Sequence, residues 1–137
     1  MPSSEAAARR MERQGRRDTE PELALRRAVW RLGLRYRVDT PPVPGRRRAD
    51  LVFPRPRVAI YVDGCFWHRC PLHGTVPRAN RDWWSAKLDA NVVRDRDTDR
   101  ILGAAGWLVI RVWEHEDAVA GAASVAAAVV ARRALSE

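Results

Sequence analysis

Apolar residues recur along this 137-residue chain with two different periods, and each period is typical of one kind of element. Near the start, the segment "DTEPE" is followed by apolar side chains at the spacing of one helix face: Leu25, Ala28, Val29 and Leu32. Thr19 can cap this helix, and Glu22 stands three residues after it, as in a capping box. The pattern therefore predicts a helix that begins after Thr19 and ends near Gly33.

Short uninterrupted apolar runs predict the strands of a sheet. Two of them, "ADLVF" and "VAIYVDG", are separated by the turn "PRPR", and this arrangement is typical of a hairpin. A third core strand is predicted at "WLVIRVW", and a weaker strand is predicted at "YRV", before the hairpin. The chain thus has enough strands for one small sheet.

Two more helices are predicted in the second half of the chain. Residues 80–106 place Trp84, Leu88, Val92 and Leu102 at roughly helical spacing, and the alanine-rich residues 117–135 suit a terminal helix. The resulting order, α-β-β-β-α-β-α, predicts an α/β fold in which helices flank a compact sheet. We expect one domain over residues 18–137 and, before it, a flexible basic arm over residues 1–17, which lacks apolar periodicity.

The charge of the chain points to an acidic partner. The formal net charge is +8, and all but one of the 25 basic residues are arginine, whose planar guanidinium pairs bidentately with phosphate. Nucleic acid is the favoured partner, although a basic surface without a specific partner would show the same excess. We expect no apolar run long enough to cross a bilayer and no apolar signal-peptide core, and hence a cytoplasmic protein without a membrane partner.

The segment "YVDGCFWHRCPLHG" holds both cysteines and two of the three histidines. Cys65, Cys70 and His73 have the spacing C-x4-C-x2-H, and structural zinc sites take four ligands of these types. His115 directly follows the third core strand, whose end could lie beside the end of "YVDG" and supply the fourth ligand. The alternative is that the cysteines are small buried side chains and the histidines lie on the surface.

Two carboxylates and the remaining histidine could form a hydrolytic site. His68 is not needed for zinc, and an imidazole can accept a proton near neutral pH. Asp50 begins one core strand and Asp63 ends its neighbour, so the two carboxylates could share a divalent cation such as Mg²⁺. In the alternative interpretation, Asp50 bonds to the basic loop "GRRR" and Asp63 caps a turn with Gly64.

Aromatic residues stand beside these polar groups. Phe66 and Trp67 lie in the cysteine segment, and Trp83 and Trp84 begin the long helix, where consecutive side chains point about 100° apart, so that one of the pair faces outward. Such residues can wedge into a distorted DNA duplex. Core packing is the alternative, and it is what we expect for Trp30, Trp107 and Trp113.

Taken together, these segments resemble the very short patch repair endonucleases, the Vsr family. The likeness lies in "DGCFWHRCPLHGTVP", "KLDANVVRDRD", "LGAAGW" and "VIRVWEHE", and it extends in the same order over residues 10–116. It implies a nuclease core akin to the PD-(D/E)XK fold, with a structural zinc site. It also implies a Mg²⁺-dependent hydrolase that nicks one strand of duplex DNA on the 5′ side of the thymine in a T:G mismatch, which arises when 5-methylcytosine deaminates.

The resemblance also assigns roles to individual residues. Asp50 corresponds to a metal-binding aspartate, His68 to the general base, and Glu22 and Asp95 to active-site acids, with the capping role of Glu22 as an alternative that could coexist. The residues that correspond to zinc ligands are Cys65, Cys70, His73 and His115. Those that correspond to DNA contacts are Met11 of the arm, the wedge residues Phe66, Trp67 and Trp84, and Asn91.

The chain departs from the family pattern at one place in the site. It has Val62 and Asp63 where the family has threonine and histidine before the glycine. A metal contact through the backbone carbonyl of Val62 does not depend on its side chain and survives the change. Asp63 replaces a cation by an anion, and we predict that it joins Asp50 around Mg²⁺.

The expected substrate is double-stranded DNA with a T:G mismatch, acted on by a monomer at the nucleoid, with mismatch-repair proteins as candidate partners. Two other functions fit the same residues. One is a nickase of the same fold without mismatch selectivity, as in defence against foreign DNA. The other is a non-catalytic, zinc-stabilised DNA-binding module in which Asp50 and His68 have no role.

Overall fold

The computed structural model describes residues 19–44, 47–65 and 79–136. In chain order, the elements are α1 (Glu20–Arg31), β1 (Arg37–Thr40), β2 (Ala49–Phe53), β3 (Val58–Asp63), α2 (Arg81–Ala104), β4 (Leu108–Trp113) and α3 (Ala118–Ser136). The order predicted from the apolar pattern is confirmed. The first strand begins one residue later than "YRV" suggested.

The start of α1 follows from its sequence. The Thr19 side chain accepts the backbone N–H of Glu22 at 3.5 Å, and a proline in the first turn needs no hydrogen-bond partner for its nitrogen. Glu20 and Glu22 place negative charge near the positive end of the helix dipole. The chain then leaves the helix through Gly33, whose φ of +87° suits a residue without a Cβ.

The four strands form one mixed sheet in the order β1-β2-β3-β4. The pairs β1–β2 and β2–β3 are antiparallel, so the predicted hairpin is confirmed. The pair β3–β4 is parallel, because α2 carries the chain back across the sheet between them. Consequently β3 and β4 end side by side, with Asp63 paired to Trp113.

Helices cover both faces of this sheet. The larger apolar cluster joins one face to α1 and α3, and its buried residues are Leu25, Ala28, Val29, Leu34, Leu51, Phe53, Val58, Ile60, Val112, Ala122, Val125 and Val129. The smaller cluster lies on the other face, with α2, and its buried residues are Ala49, Val52, Ala59 and Leu102. The core is therefore concentrated between the sheet and the pair α1 and α3.

Helix α3 corrects one expectation from the sequence. Within the described residues, Ala118–Leu135 is an 18-residue stretch that is long and apolar enough to cross a membrane, by length and composition alone. The expectation that no such stretch exists was therefore wrong. Ala122, Val125 and Val129 of this helix pack into the larger apolar cluster, as expected of a helix that covers a sheet.

The tryptophans correct a second expectation from the sequence. Trp30 was expected in the core, but 50% of its surface is exposed, because it points away from the face of α1 that buries Leu25 and Val29. In the pair at the start of α2, Trp84 is 5% exposed and Trp83 is 37% exposed. One member of that pair does face outward, as predicted, and it is Trp83.

Candidate active site

Asp50 lies where the β2–β3 pairing ends. The register pairs Leu51 with Ile60, and beyond it the Asp50 Oδ2 accepts the backbone N–H of Val62 at 2.6 Å. Burial above all, and the nearby Glu22 carboxylate after it, raise the pKa of Asp50 to about 7. The Val62 N–H lowers this pKa, Asp63 raises it and Arg26 lowers it, so Asp50 sits in a group of acids.

Glu22 belongs to the same group. It is 4% exposed, and its Oε2 lies 3.6 Å from Nη2 of Arg26, one turn further along α1. Its backbone N–H is the group that Thr19 caps. The backbone of Glu22 thus takes part in the cap while its carboxylate is buried near Asp50, and its role as an active-site acid stays a prediction.

Asp63 is buried at the end of β3 and paired with a cation. Both of its carboxylate oxygens accept from Nη1 of Arg111, at 3.1 and 3.2 Å. Its backbone carbonyl accepts the N–H of Glu114 at 2.9 Å, which ties β3 to the residue after β4. Among the described residues, the Asp63 carboxylate is thus paired with Arg111.

Arg111 connects Asp63 to helix α2. Its guanidinium lies 2.8 Å from the Asp99 carboxylate and 3.6 Å from the Asp95 carboxylate, and it donates to the Asp95 carbonyl at 3.3 Å. It also lies 4.6 Å from the ring centre of Tyr61, a cation–π distance. Burial alone would lower the pKa of Arg111, but Asp99, Asp63 and Asp95 raise it above the ordinary value. Arg111 thus stays charged.

The sequence interpretation missed Arg111. Its signal was present, because "WLVIRVW" places a single cation among the apolar side chains of a core strand, and a buried cation needs anionic partners. What the sequence did not show was which carboxylates those partners are. They come from β3 and α2, distant in the chain.

The predicted approach of His115 to the cysteine segment is observed. The Cys65 Sγ lies 3.2 Å from the His115 Nδ1, because β3 and β4 end in register. Glu114 Oε1 accepts the backbone N–H of Cys65 at 2.9 Å and so holds Cys65 at the end of β3. The sheet therefore holds the Cys65 sulfur next to the His115 nitrogen.

A sequence model described as DNA mismatch endonuclease Vsr matches residues 3–72 of the chain. The chain belongs to the Vsr family. It is 46% identical over 119 residues to the type II nicking enzyme V.NaeI of Lentzea aerocolonigenes, covering 85% of this chain and 72% of that protein.

Two further relatives agree with this family assignment. The chain is 39% identical over 102 residues to the type II nicking enzyme V.XorIIP of Xanthomonas oryzae pv. oryzae, covering 73% of each protein. It is 39% identical over 100 residues to the DNA mismatch endonuclease Vsr of Escherichia coli, covering 72% of this chain and 62% of that protein. The chain is thus a Vsr-family DNA endonuclease, and the resemblance seen in its sequence is confirmed.

The oxygen donors at Asp50 of this Vsr-family chain are of the type that fits a magnesium ion, but the described residues do not place three or more acidic side chains close enough to hold one. Mg²⁺ prefers carboxylate and carbonyl oxygens, and here the partly buried carboxylate of Asp50 lies near two other acids that raise its pKa. A divalent cation would relieve that repulsion and keep Asp50 ionised. Each oxygen of Asp63 has a second lone pair besides the one that accepts from Arg111, so its pairing is compatible with a metal contact.

Two of the four predicted zinc ligands, Cys65 and His115, lie next to each other in the structure. With bonds of about 2.3 Å to sulfur and 2.05 Å to nitrogen, tetrahedral zinc ligands would be roughly 3.6 Å apart, and the observed 3.2 Å between Cys65 and His115 is close to that. Over residues 19–44, 47–65 and 79–136, no group of three or more histidine, cysteine or acidic residues forms a metal site. The other two predicted ligands, Cys70 and His73, lie outside the described residues.

Of the remaining predicted site residues, some lie within the described part of the chain and others lie outside it. Met11, Phe66, Trp67 and His68 lie outside the part of the chain that the structure describes, so their roles stay predictions. Asn91 and Asp95 lie on α2, and Asp95 is brought to Arg111. Trp84 is buried against the edge of Trp83, with ring centres 4.9 Å apart. A contact between Trp84 and DNA also stays a prediction.

Proposed function

We propose that this protein nicks one strand of duplex DNA on the 5′ side of the thymine in a T:G mismatch, by Mg²⁺-dependent hydrolysis. The observation that supports it most is Asp50, a partly buried carboxylate near the start of β2 whose pKa is raised to about 7 by burial and by Glu22, in a chain of the Vsr family. An ionised carboxylate in such surroundings is more stable when a cation binds it than when it is left unpaired in the protein interior.

Asp50 would hold Mg²⁺ together with the backbone carbonyl of Val62, the residue whose N–H already binds the Asp50 carboxylate. When bound, the ion would neutralise charge on the scissile phosphate and stabilise the leaving oxygen. Asp63 would be a second carboxylate near the ion, held in place by Arg111. An Asp63→Ala variant whose nicking responds to Mg²⁺ as the parent does would remove Asp63 from this proposal.

His68 would accept the proton of the attacking water, since it follows Cys65 by only three residues in the sequence and an imidazole can take a proton near neutral pH. Cys65, Cys70, His73 and His115 would hold a structural zinc ion that fixes this loop, and with it Phe66 and Trp67. Zinc would take no part in the chemistry, and its role would be structural. Cys65→Ala removes a ligand, so this variant should lose bound zinc, measured by elemental analysis, together with solubility or folding.

A second candidate function is nicking without mismatch selectivity. Two of the relatives, V.NaeI and V.XorIIP, are named type II nicking enzymes, and those names do not mention a mismatch. The apparatus proposed at Asp50 would serve either activity, since hydrolysis of a phosphodiester does not depend on the neighbouring base pair. The substrate comparison below separates the two.

The test uses end-labelled duplexes that differ in one base pair: T:G, matched T:A, matched C:G and another mismatch. We expect nicking 5′ to the thymine of the T:G duplex in Mg²⁺ and no nicking in EDTA. Equal nicking of all four duplexes would support the second candidate instead. His68→Ala should lower the nicking rate at least about 100-fold while retaining DNA binding, and nicking at the parent rate would show that His68 is not the base.

A further inference from the structure

The exposed tryptophan of α1 lies among arginines in an ordered arrangement. The Arg35 guanidinium carbon is 3.4 Å from the ring centre of Trp30. The same guanidinium donates from Nη1 to the carbonyls of Trp30 and Leu34, at 3.2 and 3.0 Å. Trp30 also meets Tyr36 edge to face, with ring centres 6.0 Å apart. Arg35 is therefore held in one orientation on an aromatic surface that half faces solvent.

Other cations surround this pair. A shallow cavity of about 320 Å³ beside Trp30 is lined by Leu23, Arg26, Arg27, Trp30, Arg31 and Tyr36. We call Arg27, Trp30, Arg31 and Arg35 the Trp30 surface. Its three arginines are exposed, and no carboxylate in residues 19–44, 47–65 or 79–136 makes a salt bridge with them. Two of these arginines lie on α1 and the third lies four residues after its end. Because no described carboxylate neutralises them, they favour an anionic partner.

The Trp30 surface continues from the candidate active site. Glu22, which lies near Asp50, and Trp30 are eight residues apart on α1, which is about 12 Å along the helix axis. Arg26 lies between them, pairs with Glu22 at 3.6 Å and lines the cavity beside Trp30. One strand of a duplex carries a phosphate for every 3.4 Å or so of its axis, so about 12 Å corresponds to three or four nucleotides.

We propose that the Trp30 surface binds the phosphate backbone of the duplex a few nucleotides from the nicked bond. The inference rests on the proposed function only in taking duplex DNA as the substrate. Guanidinium groups make bidentate hydrogen bonds with phosphate oxygens. Trp30 keeps Arg35 oriented by stacking, which lowers the entropy lost when that side chain binds. Such contacts add affinity for any sequence and do not select the mismatch.

The test compares two double variants of equal charge. Arg27→Gln/Arg31→Gln removes two cations from the Trp30 surface. Arg55→Gln/Arg133→Gln removes two exposed cations elsewhere, in the β2–β3 turn and near the end of α3. Binding of a 30-base-pair T:G duplex and of its matched counterpart is measured without divalent ions over a range of KCl concentrations. Thermal unfolding shows whether each variant is folded.

We expect the Trp30-surface variant to bind both duplexes about 10 to 100-fold more weakly near 0.1 M salt, with the slope of log K against log [KCl] smaller by about 1.8. The control variant should change affinity less than about 3-fold. At saturating DNA, the nicking rate of the Trp30-surface variant should equal that of the parent, because its arginines do not touch the reacting phosphate. Its KM should rise.

The proposal is overturned if the two double variants lose affinity equally, or if the Trp30-surface variant binds both duplexes as tightly as the parent does. A second measurement shortens the two arms of the duplex one at a time. Shortening the arm that contacts the Trp30 surface should lower the affinity of the parent but not that of the Trp30-surface variant. If the parent binds DNA in this pattern but nicks no T:G duplex, the proposed function fails and this inference stands.

Discussion

The two faces of the sheet contribute different things to this protein. Towards α1 and α3, the strands present apolar side chains such as Phe53 and Ile60, which are fully buried. Towards α2, the apolar cluster is small, and Arg111 gathers three carboxylates beside it. Since side chains of a strand alternate between faces, a single strand serves both. In β3, Val58 and Ile60 join the larger cluster, and Ala59 and Tyr61 the smaller.

The comparison indicates where this fold can place charge without losing its core. The charged groups Asp63 and Arg111 lie towards the carboxyl ends of β3 and β4. At the opposite end of the sheet, beside the β2–β3 turn, Phe53 and Val58 are buried apolar residues. Burial of apolar area stabilises the first region, and electrostatic pairing stabilises the second. Substitutions on the two faces should therefore differ in size and in their dependence on pH.

The largest effect is expected on the apolar face. Phe53→Ala removes a fully buried ring that meets Tyr36 edge to face at 6.0 Å, and it should lower the free energy of unfolding by about 3–5 kcal/mol. Urea unfolding measures this loss. Val93→Ala, at an exposed position of α2, is the control and should change it by less than about 0.5 kcal/mol. A Phe53 loss as small as the control's would mean that this face is not the main core.

A smaller effect is expected on the charged face. Arg111→Met removes the cation that both oxygens of the buried Asp63 accept from, and it should lower the free energy of unfolding by about 2–3 kcal/mol. Adding Asp63→Asn to this variant should restore part of the loss, since the buried anion is then gone. Asp99→Asn, at the more exposed partner, should cost less than about 1 kcal/mol. If Arg111→Met costs no more than Asp99→Asn, the pairing with Asp63 contributes little.

The smallest effect has the opposite sign. Because burial and Glu22 raise the pKa of Asp50 to about 7, the folded state holds this proton more tightly than the unfolded chain does. The resulting stability is fully present below the unfolded pKa, near 4, and is lost as pH rises through about 7. Asp50→Asn cannot ionise and should be more stable than the parent in EDTA at pH 8, by about 1–2 kcal/mol.

Urea unfolding of this pair at pH 5 and pH 8 checks the sign. The advantage of Asp50→Asn should grow between the two pH values, and added Mg²⁺ should reduce it, since the ion would stabilise the ionised carboxylate of the parent alone. The same variant should have lost nicking activity. An advantage that is the same at both pH values would show that the ionisation of Asp50 does not limit stability.

Much of the fold could be predicted from local pattern. Thr19 and Pro21 mark the start of α1, Gly33 and Gly106 mark the chain after α1 and α2, and the apolar runs mark the strands, because capping, backbone freedom and side-chain periodicity act within a few residues. The approach of His115 to Cys65 could also be predicted, since two parallel neighbouring strands end at the same edge.

The sequence by itself determined the family, the order of elements and the residue types that could bind metal and DNA, since these depend on motifs and short-range spacing. Only the tertiary structure decided that Arg111 pairs with Asp63, that Asp50 shares its surroundings with Glu22, and that Trp30 faces solvent beside Arg35. The physical reason is that pairing, desolvation and exposure depend on distances between residues far apart in the chain, or on which side of an element a side chain lies. Those distances are set by how the helices pack on the sheet.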